Sequence, residues 1–281
     1  MPPKKKTINF NIQPFHMSMV SDNKKICFLG KTNSGKSICV VDYLYYHQDI
    51  PIVSVICPTE KYNKTYYPHI PSMLIYDDFN INVIHEFLDR QKNIVKMSEE
   101  NTSIDPRAIL IMDDCLADSE EWVNDKKVKW IFQNGRHTKI TCIVVLQYPM
   151  GMPPKLRNDI QWTFLFRHNS LSIQKKYYDH YASVIPSFDM FLDIYIKCTE
   201  DKGCLVINNE SLSTNPEDSV FYYKADINKP NWNSFKLCYK ELWLNNDIIC
   251  KIKEKNEENE KVNSISKYKK SSVYYNINKE K

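Results

Sequence analysis

Residues 30–37 read Gly30-Lys31-Thr32-Asn33-Ser34-Gly35-Lys36-Ser37, a loop of the form G-x-x-x-x-G-K-S. It sits between the apolar run Lys25-Ile26-Cys27-Phe28-Leu29 and Ser37–Tyr46, where Val40, Val41 and Leu44 share one helical face. Strand, loop and helix in that order are the context a phosphate-binding loop requires. Gly30 and Gly35 permit backbone angles and close approaches that a Cβ would forbid. The amides of Lys31, Thr32, Asn33 and Ser34 can then turn inward toward phosphate oxygens, aided by the positive end of the helix. Lys36 supplies an ammonium for the β and γ phosphates, and Ser37 a hydroxyl for Mg²⁺. The pattern predicts binding of a nucleoside triphosphate with Mg²⁺. It also constrains the fold, because this loop closes the first turn of a β-α unit.

The rest of the chain fits that constraint. Apolar runs recur at Ile52–Cys57, Ala108–Met112, Thr141–Leu146, Trp162–Phe166, Cys204–Ile207 and Val220–Tyr223. Helical patterns lie at Ile81–Met97, Lys126–Asn134, Ser170–Ala182 and Ser187–Ile194, and Trp232–Asp247 reads as one more. Alternation of this kind predicts an α/β fold with a mainly parallel central sheet flanked by helices. The unbroken runs Ile109–Met112 and Ile143–Leu146 suit strands buried on both faces. Residues 1–22 are polar and read as an N-terminal arm, 23–250 as the ATPase domain, and the Lys/Glu/Asn-rich 251–281 as a mobile tail.

Composition excludes several classes. Nine cysteines occur without C-x-x-C pairs, several inside apolar runs, so they read as reduced core thiols and not as a disulfide framework or zinc site. No stretch approaches the ~20 apolar residues of a membrane span. The net charge of +4 leaves any DNA contact to local patches. The patches considered are Lys126, Lys127 and Lys129, Lys155 with Arg157, and Lys267, Lys269 and Lys270.

A triphosphate loop needs partner carboxylates. Asp113 follows Ile109–Met112 directly and suits Mg²⁺ coordination; Asp114 suits a general base for the attacking water. Gln147, at the end of Thr141–Leu146, can hydrogen-bond the γ-phosphate or that water. The arginines are Arg90, Arg107, Arg136, Arg157 and Arg167. Arg136 is the first choice, and Arg157 the second, for an arginine donated across a subunit boundary.

The strings Ile109–Cys115, Asn134-Gly135-Arg136-His137-Thr138-Lys139-Ile140 and Val144-Val145-Leu146-Gln147-Tyr148-Pro149 resemble the poxvirus-type genome-packaging ATPases. These form part of the FtsK/HerA branch of P-loop motors in large DNA viruses, virophages and related elements. Ile56-Cys57-Pro58-Thr59 and Pro153–Asn158 extend the likeness, which covers roughly residues 22–225. The wider superfamily usually carries Glu where this chain has Asp114. The resemblance implies a RecA/ASCE-like three-layer P-loop NTPase fold. It implies an ATP- and Mg²⁺-dependent motor that pumps double-stranded DNA into a preformed capsid. Its partners would be capsid or portal-vertex proteins and further copies of itself in a pentameric or hexameric ring. Its place would be the viral factory of the host-cell cytoplasm, with virion association. The alternatives are a helicase or other DNA-dependent ATPase, a small-molecule kinase, and a nucleotide-binding capsid scaffold without turnover. The scarcity of arginine argues against a kinase lid.

Overall fold

The continuous apolar runs become the strands of one sheet. The computed structural model describes residues 10–115 and 119–248, with only the backbone of 119–121. Two units are distinguished, the first ending at Cys238. In the first, the strands are β1 (Gln13–Pro14), β2 (Lys25–Leu29), β3 (Val53–Ile56), β4 (Ile75–Tyr76), β5 (Ala108–Asp113), β6 (Ile140–Leu146), β7 (Trp162–Phe166), β8 (Cys204–Asn208) and β9 (Val220–Tyr223). Their order across the sheet is β1-β9-β8-β7-β2-β6-β5-β3-β4. All pairings are parallel except those of β8 with β7 and β9, so β8 alone runs backwards.

The principal helices are α1 (Lys36–Tyr46), α2 (Glu60–Asn63), α3 (Ile81–Glu100), α4 (Ser119–Asn124), α5 (Lys126–Asn134), α6 (Pro154–Arg157), α7 (Leu171–Tyr181) and α8 (Phe188–Cys198). Their starts follow side-chain chemistry. Asp125 accepts from the amides of Lys127 and Val128 at 2.8 and 3.0 Å, and Ser187 accepts from Met190 at 3.2 Å. Every residue of β2, β3, β5, β6 and β7 is buried, as parallel strands covered on both faces require. Each fully buried Ile, Leu, Val or Phe there contributes about 1.5–3 kcal/mol. Phe28 stacks on Phe164 at 4.5 Å between ring centroids, which ties β2 to β7.

The described part of the expected arm is packed. β1 pairs with β9, and Phe15, Met17 and Val20 are buried. Phe15 lies 5.4 Å from the rings of both Trp162 and Phe164. The helix expected over Trp232–Asp247 is shorter. Trp232, Phe235 and Leu237 enter the core on turns and extended chain, where Phe235 stacks on His69 at 4.0 Å. Asn231 (φ 58°) and Cys238 (φ 72°) adopt left-handed angles that no helix interior accepts. In the second unit the described part contains a helix over 240–248. The tail at 251–281, with Lys267, Lys269 and Lys270, lies outside the described residues. Among the described residues eight cysteines are free thiols, and no helix is long and apolar enough to cross a membrane.

Candidate active site

Register places the site. In the sheet Leu29 stands opposite Leu146, and Asp113 opposite Val145. The ends of β2, β6 and β5 therefore lie level, and the chain leaves all three at one edge. The Gly30 amide donates to Leu146 O at 3.1 Å, and the Asp114 amide to Val145 O at 3.2 Å. These bonds dock the loop, the acids and Gln147 onto one another. Carboxyl ends of parallel strands are where open α/β sheets bind ligands.

The loop's backbone demands glycine at two places. Gly35 has φ 107°, an angle other residues rarely adopt. A Cβ on Gly30 would fall 2.5 Å from Phe166 Cβ, so only glycine fits there. Lys36, 8% exposed, donates from Nζ to Gly30 O at 2.6 Å and Lys31 O at 2.9 Å. Burial lowers its pKa, and the charges of Asp113 and Asp114 oppose that.

Asp113 is only 6% exposed. Its Oδ2 accepts from Tyr66 Oη at 2.6 Å and Ser37 Oγ at 3.4 Å. Both donors are neutral hydroxyls. Burial is the main cause raising its pKa from the ordinary 3.8 to about 6, against the pull of Tyr66 and Lys36. A buried carboxylate beside a hydroxyl is a hard-oxygen donor pair suited to Mg²⁺.

Asp114 has φ 58° and carries its carboxylate into a second chain of bonds. Gln147 Nε2 donates to Asp114 Oδ2 at 2.8 Å, while Gln147 Oε1 accepts from Thr32 Oγ1 at 2.9 Å. A donor on one side and an acceptor on the other fix the amide's orientation. Thr32, Lys36, Ser37, Asp113, Asp114 and Gln147 thus share the wall of one cavity of about 140 Å³.

Three further contributors come from the segment after β3, of which the sequence marked only Thr59. Thr59 and Asn63 line the same cavity. Tyr66, fully buried, reaches Asp113 from the turn that follows. That turn is pinned by Glu60, whose buried carboxylate accepts from the amides of Thr65, Tyr66 and Tyr67 at 3.1, 2.6 and 2.9 Å. No spacing marks Tyr66; its role depends on a fold-level contact with a residue 47 positions away.

No arginine among the described residues lines the cavity. Arg136 is exposed in the turn before β6, at the opposite edge of the sheet from Gln147. Arg157 is 9% exposed, its Nη1 on Met150 Sδ at 3.1 Å and its guanidinium 5.9 Å from the Tyr181 ring. Of the proposed DNA-facing charges, Lys127 is paired with Asp89 at 2.6 Å, and Lys126 and Lys155 are exposed.

An uncharacterised protein of Acanthamoeba polyphaga mimivirus is 31% identical over 273 residues, covering 90% of this chain and 96% of the relative. One from Invertebrate iridescent virus 3 is 32% identical over 237 residues, covering 80% and 88%. Among solved structures, the DNA-packaging ATPase of Sulfolobus turreted icosahedral virus shares the fold with a TM-score of 0.50 at 12% identity, over 74% of this chain and all of that one. The genome-packaging NTPase of Sulfolobus turreted icosahedral virus 2 in complex with AMP gives 0.51 at 12% identity, over 73% of this chain and all of that one. With the family described as Poxvirus A32 protein matching residues 12–230, the chain belongs to that family.

Proposed function

We propose that this chain is an Mg²⁺-dependent ATPase that drives double-stranded DNA into a preformed viral capsid, working as a homo-oligomeric ring. One observation carries the ATPase reading. The phosphate loop, a buried acid and a second acid tethered through Gln147 to the loop all meet at one cavity. Membership of the poxvirus A32 family, and the fold shared with a DNA-packaging ATPase, support the packaging half.

In this reading the loop amides and Lys36 hold the β and γ phosphates. Ser37 and Asp113 would hold Mg²⁺, which when bound neutralises charge on those phosphates. Asp114 accepts a proton from the water that attacks the γ-phosphorus. The bond to the β–γ bridging oxygen breaks, and ADP and phosphate leave. Gln147, oriented by Thr32, positions that water beside Asp114. A cation for the charge of the transition state is assigned in this reading to Arg136 of a neighbouring subunit. The burial of Arg157 counts against it.

The test is ATP turnover by the full chain with duplex or single-stranded DNA, using Lys36→Ala as the inactive control. Stimulation by duplex is the expected result. Stimulation by single strands alone would make it a helicase, and binding without turnover a scaffold. A second expectation concerns Tyr66. Tyr66→Phe keeps the buried ring but removes the donor to Asp113. Groups that orient a metal ligand are worth 10–100-fold in affinity, so the Mg²⁺ needed for half-maximal nucleotide binding should rise by about tenfold. A Mg²⁺ titration against a fluorescent ATP analogue measures this, and an unchanged requirement would remove Tyr66 from the site.

A further inference from the structure

The chain that leaves β3 makes a tight turn with two faces. Thr59 precedes α2 and Asn63 ends it; four positions apart, they share one face, and both line the phosphate-loop cavity. Lys61 and Lys64, three apart, share another. Residues 61–64 are all exposed, yet they stand between Glu60 and Tyr66, which are fully buried.

For a surface element this turn is firmly held. The Glu60 carboxylate takes its three amide bonds from beneath, at the cost of desolvating a buried charge. Lys64 closes the turn in a left-handed conformation, φ 48°, with its amide donating to Glu60 O at 2.8 Å. Tyr66 then ties the far end to Asp113. Anchoring of this kind fixes the outward side chains along with the inward ones, and groups already in place lose less freedom on binding.

The outward face carries two cations and a ring. Tyr62 is 76% exposed, more than any other aromatic side chain among the described residues. Lys61 Nζ lies 5.3 Å from its ring centroid. Neither Lys61 nor Lys64 has a carboxylate partner among the described residues. This set suits a sugar-phosphate backbone. Lysine ammonium groups and a tyrosine hydroxyl donate to phosphate oxygens, and such contacts carry no base information. Asp77 and Asp78 leave β4 at the same edge of the sheet, where they would repel a polyanion and limit its contact to the turn.

We infer that Lys61, Tyr62 and Lys64 form a contact for the phosphate backbone of duplex DNA, placed on the same turn that lines the nucleotide cavity. DNA on one face and nucleotide on the other then act on one element, and each changes the affinity of the other by the same factor. The inference rests on the packaging reading, and the test separates the two. Fluorescence anisotropy of a labelled duplex with the full chain gives affinity and its salt dependence. Lys61→Ala combined with Lys64→Ala should weaken duplex binding by about tenfold and reduce the slope of log affinity against log salt by about two. Tyr62→Ala should weaken it by about threefold and leave the slope unchanged, because no charge is removed. Neither lysine lines the cavity, so ATP turnover without DNA should stay within about twofold of the parent while its stimulation by duplex is lost. An unchanged duplex affinity or salt slope in the lysine variant would overturn the inference and leave the turn to a protein partner. A fall in basal turnover equal to the fall in stimulated turnover would overturn it as well. If the parent chain bound no duplex, the packaging reading would fall and this inference with it.

Discussion

Asp113→Asn is expected to stabilise the nucleotide-free protein by about 3 kcal/mol at pH 7 while lowering ATP turnover by at least about a thousandfold. The stability change follows from burial. The Asp113 carboxyl has a pKa of about 6 in the folded chain against an ordinary 3.8. The folded state therefore holds this proton more tightly than the unfolded chain does. Above pH 6 both states are ionised, and the folded state bears the full cost of a buried charge. As pH falls from 6 toward 4 the folded acid takes up its proton first, and that cost disappears. The Asn variant carries no such charge at any pH, and its amide oxygen can still accept from Tyr66. Denaturant unfolding at pH 7 and pH 4.5 measures the difference. The gap between variant and parent should be large at the higher pH and small at the lower. A pH-independent gap, or a less stable variant, would contradict the account. The loss of turnover follows from the role proposed for Asp113, because Asn has no charge with which to hold Mg²⁺.

Lys229→Met should cost about 3–5 kcal/mol of stability, among the largest single losses available in this fold. Asp42 is fully buried in α1, and Lys229 is its cationic partner. Tyr223 also donates to Asp42, at 2.6 Å, but a neutral hydroxyl cannot balance the charge. Removing the ammonium leaves a carboxylate in a low-dielectric setting, which is costlier than losing the pair together. Urea unfolding of the single variant and of Asp42→Asn combined with Lys229→Met separates these effects. The double variant should recover most of the loss. A single-variant loss below about 1 kcal/mol would show that water reaches Asp42.

Much of this architecture was legible because parallel strands buried on both faces cannot alternate polar and apolar residues. Trp162–Phe166 and Val220–Tyr223 are strands over the very residues their apolar runs mark. Lys126–Asn134 is a helix over the expected span, since Val128, Ile131 and Phe132 fall on one buried face. The phosphate loop was readable because its function fixes residue types at fixed spacing. Other features carry no local mark. β1 and β4 are two residues long and exist only through pairing with β9 and β3. The reversal of β8 depends on connections, not composition. Trp232, Phe235 and Leu237 fall in the span read as a helix, but tertiary contacts draw them separately into the core. Tyr66 stands in no motif, and its hydroxyl acquires meaning only from Asp113.

The left-handed backbone at Asp114 has a bearing on which acid the position can carry. For residues other than glycine this region costs about 1–2 kcal/mol, and short side chains that bond locally bear it best. Gln147 already meets the Asp114 carboxylate at 2.8 Å. A glutamate leaving the same Cα would reach one methylene further and overshoot that amide unless strand end and glutamine shifted together. The handedness of a single residue thereby sets how far its carboxylate projects over the sheet, and ties acid length to backbone shape at this position.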